Sequence, residues 1–127
     1  GYFPDEVILL DTPAGLEHFG RAVAEGFEYA LIVTDESYNA RAVARDLSRL
    51  ARQCRIRQVI LVVNRVRNGL EKPDTIGEME GLFQKIWLLP QDPCITRHEP
   101  SVIPAVLDRC PIVGNIEGLA GYILAHC

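Results

Sequence analysis

The sequence predicts a single α/β domain over residues 1–127, with a mostly parallel sheet that carries helices on both faces. Four short apolar runs rich in Val, Ile and Leu lack the alternation of apolar and polar residues that marks a half-exposed strand. Segments with helical spacing separate these runs. Because strands that alternate with helices form right-handed βαβ units, a parallel sheet follows. A length of 127 residues suits one domain with one sizeable core.

The predicted elements follow one another without a linker or an internal repeat. The four strands are Glu6–Asp11, Tyr29–Thr34, Gln58–Asn64 and Lys85–Leu89. The five helices are Leu16–Glu25, Ser37–Gln53, Pro73–Phe83, Ser101–Asp108 and Ile116–His126. Ser37–Gln53 has the clearest pattern, since its apolar residues fall on one face and Ser37 is a good N-cap.

Polar or turn-forming residues follow every predicted strand, at residues 11–15, 34–37, 64–68 and 90–92. In open parallel sheets, ligands bind in the crevice outside the carboxyl ends of the strands. The composition of these four segments therefore predicts a ligand-binding edge.

The first of these segments has the residue types of a magnesium and phosphate site. In VILLDTPAG, Asp11 closes an apolar strand, as does the acid that holds Mg²⁺ through water in P-loop nucleotidases. Thr12 offers a hydroxyl, and Gly15 allows a backbone N–H to approach a terminal phosphate closely. The alternative is a tight connection between strand and helix that binds nothing.

Four motifs follow one another along the chain: DEVILLDTPAGLEH, LIVTDESYNARAVARDLSRLA, LVVNRV and LLPQDPCI. Together they resemble the MinD/ParA-type ATPases. DEVILLDTPAGLEH resembles their switch II region, and LIVTDESYNARAVARDLSRLA resembles the strand and helix that follow it. LVVNRV resembles the element whose Asn contacts adenine, and LLPQDPCI resembles the P-x-D loop that closes over the base. Within the family, AGLEHFGR is most similar to the CooC-like ATPases that assist nickel insertion into carbon monoxide dehydrogenase.

For the phosphate side, the resemblance implies that Asp11 is the catalytic acid associated with Mg²⁺ through water. It implies that Gly15 senses the γ-phosphate beside Thr12. His18, which opens the next helix after Glu17, is a surface imidazole, a metal ligand or a dimer contact; the three alternatives stay open.

For the base side, the resemblance implies that Asn64 reads adenine through its side-chain amide, with Arg65 beside it. Pro90 and Asp92 would line the base pocket, mainly through their backbone. The alternative for Asn64 is an ordinary turn residue at a strand end.

Two elements of the family pattern do not occur in the 127 residues. These are the G-x-x-x-x-G-K-[ST] loop that cradles phosphates and the C-x-C pair through which CooC-like proteins bind nickel. We therefore expect the chain to be the C-terminal part of a P-loop ATPase, lacking the P-loop strand and inactive by itself. The complete protein would be a homodimeric ATPase that uses ATP and Mg²⁺ and serves a metalloenzyme client. Nickel binding is possible for the complete protein but is not supported by the residues present.

Charge and cysteine content limit the alternatives. A net charge of −4 disfavours a large nucleic-acid surface, although Arg41, Arg45, Arg49 and Arg52 form a basic stripe at helical spacing. The tail GNIEGLAGYILAHC lacks the basic residues of a membrane-binding helix, so no membrane association is expected. Apolar runs no longer than a strand and the lack of a secretory signal in the given sequence predict a cytoplasmic setting. The four cysteines form no C-x-x-C pair and are expected to be free thiols; a metal site shared between subunits stays open.

Three other functions are alternatives to a metal-centre maturation ATPase. A ParA-like partitioning or positioning ATPase would keep the same fold. A non-catalytic domain that binds a nucleotide or a partner would keep the fold without the chemistry. A phosphoacceptor receiver domain fits poorly, because only Asp11 follows the first strand and Lys72–Pro73 comes too late after Gln58–Asn64.

Overall fold

The computed structural model describes residues 6–11, 27–67, 77, 79–98, 101 and 103–126. Within them the strands are β1 (Tyr29–Thr34), β2 (Gln58–Val66) and β3 (Lys85–Pro90). The helices are α1 (Tyr38–Gln53), α2 (Pro93–Arg97), α3 (Ile103–Leu107) and α4 (Pro111–Ala125), with a short 3-10 helix at Glu80–Leu82. No helix of this part of the chain is long and apolar enough to cross a membrane.

The three strands form a parallel sheet in the order β1-β2-β3. Tyr29 pairs with Gln58 and Thr34 with Val63, while Ile60 pairs with Lys85 and Val63 with Leu88. The α/β class and the parallel sheet are therefore confirmed. The third and fourth predicted strands, Gln58–Asn64 and Lys85–Leu89, extend slightly further than expected, to Val66 and Pro90.

The central strand β2 is buried on both faces because a different helix covers each one. Val59, Leu61 and Val63 lie in a core with α1, whereas Ile60 and Val62 lie in a core with α4. This double burial explains why the strand reads as one continuous apolar run. The edge strand β1 differs, since Leu31 and Val33 are exposed.

Helix α1 begins and packs as its sequence predicts. The Ser37 hydroxyl accepts a hydrogen bond from the backbone N–H of Ala40, which satisfies a free donor of the first turn. Ser48 is fully buried and donates its hydroxyl to the carbonyl of Leu82. Arg52 of the basic stripe also donates to that carbonyl, at 2.6 Å, so it helps to hold the 3-10 helix against α1.

The C-terminal part of the chain contains one helix more than predicted. The five-residue helix α2 follows Asp92, which caps it, and has a proline at its start. Helix α3 lies within the predicted Ser101–Asp108. Helix α4 begins five residues before the predicted start at Ile116, again at a proline. The predicted Leu16–Glu25 lies outside the described residues. Of the predicted Pro73–Phe83, residues 73–76 and 78 lie outside them, and the described end forms the 3-10 helix Glu80–Leu82.

The predicted strand Glu6–Asp11 was wrong. These residues are described but belong to no strand, and Val7 and Leu9 are 63% and 85% exposed. A strand needs a neighbour for its backbone N–H and C=O groups, and none of the described strands pairs with this segment. An apolar run therefore indicates that a segment favours burial, but strand formation also requires a neighbouring strand.

Candidate functional site

The carboxyl ends of the three strands meet at one edge of the sheet, as expected of a parallel arrangement. The pairing of Thr34 with Val63 and of Val66 with Pro90 places these ends side by side. Four predicted site residues belong to this edge: Asn64, Arg65, Pro90 and Asp92. Asp11 is exposed and lies in no described strand, while Thr12, Gly15, Glu17 and His18 lie outside the described residues.

The central strand is kinked at Asn64 and Arg65. Arg65 has φ of 57°, a left-handed conformation that few non-glycine residues adopt, and the register with β3 shifts between Val63 and Val66. The side-chain carbonyl of Asn64 accepts the backbone N–H of Arg65 at 2.9 Å. This bond uses one lone pair of the carbonyl oxygen. Within the described residues the amide NH₂ of the half-buried Asn64 bonds to no other group, so both of its donors are available to a ligand. Backbone strain of this kind is concentrated at functional sites.

Asp35, which directly follows β1, is a charged group of this edge to which the sequence assigned no role. Its Oδ1 accepts the backbone N–H of Ser37 at 2.7 Å. The pKa of Asp35 is lowered by hydrogen bonds from the Ser37 side chain and backbone, and further by the positive charge of Arg65. Asp35 therefore stays ionised at neutral pH and contributes an anionic group beside the kink. An acid followed two residues later by an N-cap Ser is the sequence signal for it.

The carboxylate of Asp92 ties the end of β3 to two helices. Its Oδ1 accepts the N–H of Cys94 in α2 at 2.9 Å, and its Oδ2 accepts the N–H of Ile112 in α4 at 2.9 Å. The side chain is only 7% exposed. The buried carboxylate of Asp92 therefore joins the starts of α2 and α4. The N–H of Gln91 also bonds to the carbonyl of Val66, which holds this segment beside β2.

The two helix starts that Asp92 joins are also linked by a disulfide between Cys94 and Cys110. The prediction of free thiols was therefore wrong for these two cysteines. Their Cα atoms are 5.6 Å apart because α2 and the start of α4 are held together by Asp92. His98, at the end of α2, places Nε2 2.9 Å from the carboxylate of Asp108. Cys54 is a free, half-buried thiol, as predicted, and Cys127 lies outside the described residues.

Comparison with known proteins relates the chain to ATP-binding proteins. It is 32% identical over 122 residues to an uncharacterized ATP-binding protein of Methanocaldococcus jannaschii, with 94% of the chain and 47% of the relative covered. A second uncharacterized ATP-binding protein of that organism is 28% identical over 102 residues, which cover 78% of the chain and 40% of the relative. No protein-family model and no solved structure matches the chain at a significant level.

A further relative carries a more specific name. The carbon monoxide dehydrogenase accessory protein CooC of Rhodospirillum rubrum is 29% identical over 66 residues, which cover 52% of the chain and 25% of CooC. The chain is thus similar to uncharacterized ATP-binding proteins and, over about half of its length, to CooC. It spans about half the length of the first of these relatives and less of the others. The predicted relationship is confirmed at this level.

Proposed function

We propose that the chain forms the base-binding part of the nucleotide domain of a MinD/ParA-type P-loop ATPase. The observation that carries the proposal is the kink at Asn64 and Arg65, at the carboxyl end of the central strand. Similarity to an ATP-binding protein over 94% of the chain supports it. The sheet edge is where nucleotides bind in folds of this class.

Adenine recognition would be the task of Asn64. Its carbonyl oxygen is held by the N–H of Arg65, so the plane of the amide is fixed before a ligand arrives. An amide can donate from its NH₂ to N7 and accept from the exocyclic amine of adenine with the second lone pair of its oxygen. Guanine offers acceptors at both positions, so the same arrangement favours ATP over GTP.

The phosphate side of the site depends on Asp11, Thr12 and Gly15, and here the proposal rests on the sequence. Asp11 would hold Mg²⁺ through water and Gly15 would contact the γ-phosphate. The glycine-rich loop that cradles phosphates does not occur in the 127 residues, so ATP hydrolysis is proposed for the complete protein. The name of CooC supports a metal-centre maturation role, with a homodimer and a metalloenzyme client as further proposals.

The test is ATP binding by the full-length protein and its Asn64→Asp variant, measured by calorimetry with Mg²⁺ present. Aspartate retains an oxygen for the N–H of Arg65 but loses the NH₂ group, so the kink is kept and one base contact is lost. A lost hydrogen bond that leaves a partner unsatisfied costs about 1–3 kcal/mol, which predicts ATP binding weakened about 5- to 100-fold.

Asn39→Asp is the matched control. Asn39 is exposed in the first turn of α1, so its replacement introduces the same negative charge away from the kink. It should leave the ATP affinity unchanged. Equal ATP affinities for wild type and both variants would remove Asn64 from the base site. A full-length protein that binds no nucleotide at all would overturn the proposed function.

A further inference from the structure

We propose that Cys94, His98 and Cys110 of the reduced protein form a binding site for a divalent cation of Zn²⁺-like softness. The two sulfurs and a ring nitrogen of His98 all lie within 4.8 Å of one another. Two thiolates and one imidazole are a ligand set that Zn²⁺ prefers, and such a set leaves the fourth tetrahedral position open. The proposal is independent of nucleotide binding.

The backbone brings the three ligands together from two helices. Cys94 lies in the first turn of α2 and His98 ends it, so a spacing of four residues puts both on one side of that turn. Cys110 precedes α4 and is 2% exposed, whereas Cys94 and His98 are half-buried. Cys110 is therefore shielded from solvent, while Cys94 and His98 are accessible to an ion that enters from solvent.

The carboxylate of Asp108 fixes the imidazole of His98. An ionised carboxylate only accepts hydrogen bonds, so Nε2 carries the proton that is shared with Asp108 over 2.9 Å. In the neutral ring this leaves the lone pair of Nδ1 for a metal. A carboxylate that orients a histidine in this way is the usual outer-shell partner of a metal-binding imidazole.

The disulfide and the metal site are alternative states of the same two sulfurs. A dithiol reductant would break the bond between Cys94 and Cys110 by supplying two electrons and two protons, leaving two thiols and the oxidised reductant as its own disulfide. Binding of Zn²⁺ would then displace both thiol protons. Tetrahedral zinc with bonds of about 2.3 Å holds two sulfurs about 3.8 Å apart. Side-chain rotation supplies that separation, since the Cα atoms are already 5.6 Å apart.

The proposed metal site adjoins the loop that follows β3. Asp92 accepts the N–H of Cys94 and the N–H of Ile112, two residues beyond Cys110. A change from the disulfide to two metal-bound thiolates acts on the same helix ends that Asp92 joins. A change in the redox state or metal content of the cysteines would therefore alter the position of Asp92 at the carboxyl edge of the sheet.

The test is titration of the reduced full-length protein with Co²⁺, followed by its thiolate charge-transfer absorption, and with Zn²⁺ in competition with a chromophoric chelator. Wild type should gain one more equivalent of thiolate-bound metal than Cys94→Ser or Cys110→Ser. Cys54→Ser, which removes the free half-buried thiol, should match wild type.

Because a cysteine variant could fail to fold, His98→Gln and Asp108→Asn provide a second measurement that leaves both sulfurs in place. Loss of an outer-shell carboxylate typically weakens metal binding 10- to 100-fold, so Asp108→Asn should weaken Zn²⁺ binding by about 10-fold. His98→Gln removes a direct ligand and should weaken it by more than about 100-fold.

Two results would overturn the proposal. The first is equal Zn²⁺ affinity for reduced wild type and the His98→Gln variant. The second is equal affinity for the reduced and oxidised wild-type protein, which would show that the sulfurs are not ligands. In either case the pair would be a structural disulfide only.

Discussion

Replacement of Asp92 by alanine should destabilise the protein, because one buried carboxylate supports two helices. Asp92→Ala removes the acceptor for the N–H groups of Cys94 and Ile112, each 2.9 Å from a carboxylate oxygen, at a position 7% exposed. No other acceptor is bonded to these two groups in the described part of the chain. The variant therefore leaves two donors at helix starts unsatisfied.

The magnitude follows from the two contacts. A hydrogen bond to a charged group contributes about 1.5–3 kcal/mol, and loss of an N-cap costs about 0.5–2 kcal/mol. Two coupled contacts of this kind give a loss of about 3 kcal/mol in the free energy of unfolding for Asp92→Ala. Asp92→Asn should lose about half of that, because its carbonyl accepts one N–H while its NH₂ group faces the other.

The assay is urea unfolding of the full-length protein with the disulfide intact in every variant, so that the crosslink affects each unfolded state equally. Asp46→Ala is the matched control, because Asp46 is exposed in α1 and its loss should change stability by less than about 0.5 kcal/mol. If Asp92→Ala were as mild as Asp46→Ala, the carboxylate would not hold the two helices together.

Two further predictions concern the packing of α4 and the charge at the strand ends. A Cβ at Gly118 would lie 3.0 Å from Cζ2 of Trp87, so Gly118→Ala should lower the free energy of unfolding by about 1 kcal/mol, overcoming the helical preference for alanine. A Cβ at Gly121 would have no atom within 4 Å, so Gly121→Ala should raise the free energy of unfolding by about 0.5–1 kcal/mol. Equal effects of the two substitutions in urea unfolding would refute the contact between position 118 and Trp87. NMR titration should give Asp35 a pKa below its ordinary value of about 3.9, and the pKa should rise in Ser37→Ala. Since the folded pKa is the lower one, the stability that Asp35 contributes is present above about pH 3.9 and is lost as the pH falls through the folded pKa; an unshifted titration would contradict this.

The sheet and its main helix could be predicted because their patterns are local. Continuous apolar runs identify β1, β2 and β3, and the spacing of small and apolar residues with Ser37 ahead identifies α1. The run at Glu6–Asp11 has the same composition but no partner strand in the described structure. Strand formation depends on a neighbour, and that information is not in the run itself.

The candidate site was predictable where it depends on topology. Parallel strands bring Asn64, Arg65 and Pro90 to one edge whatever the details of the loops. The pairing of Cys94 with Cys110 depends instead on how α2 meets α4, sixteen residues later in the chain, and no spacing indicates it. Helix α2 has a readable start, an acid followed by proline, but it is shorter than two turns and shows no periodicity.

The register shift leaves β2 with one extra residue, because Val66 lies three positions after Val63 whereas its partner Pro90 lies two positions after Leu88. Side chains of a regular strand alternate, so Val59, Leu61 and Val63 should be followed in the same core by residue 65. Instead Arg65 is exposed and Val66 joins that core, 2% exposed. Because of the extra residue, Val66 returns to the α1 core after the polar residues Asn64 and Arg65. Insertion or removal of a residue here would thus change which groups face a ligand while the apolar sequence on either side keeps its packing.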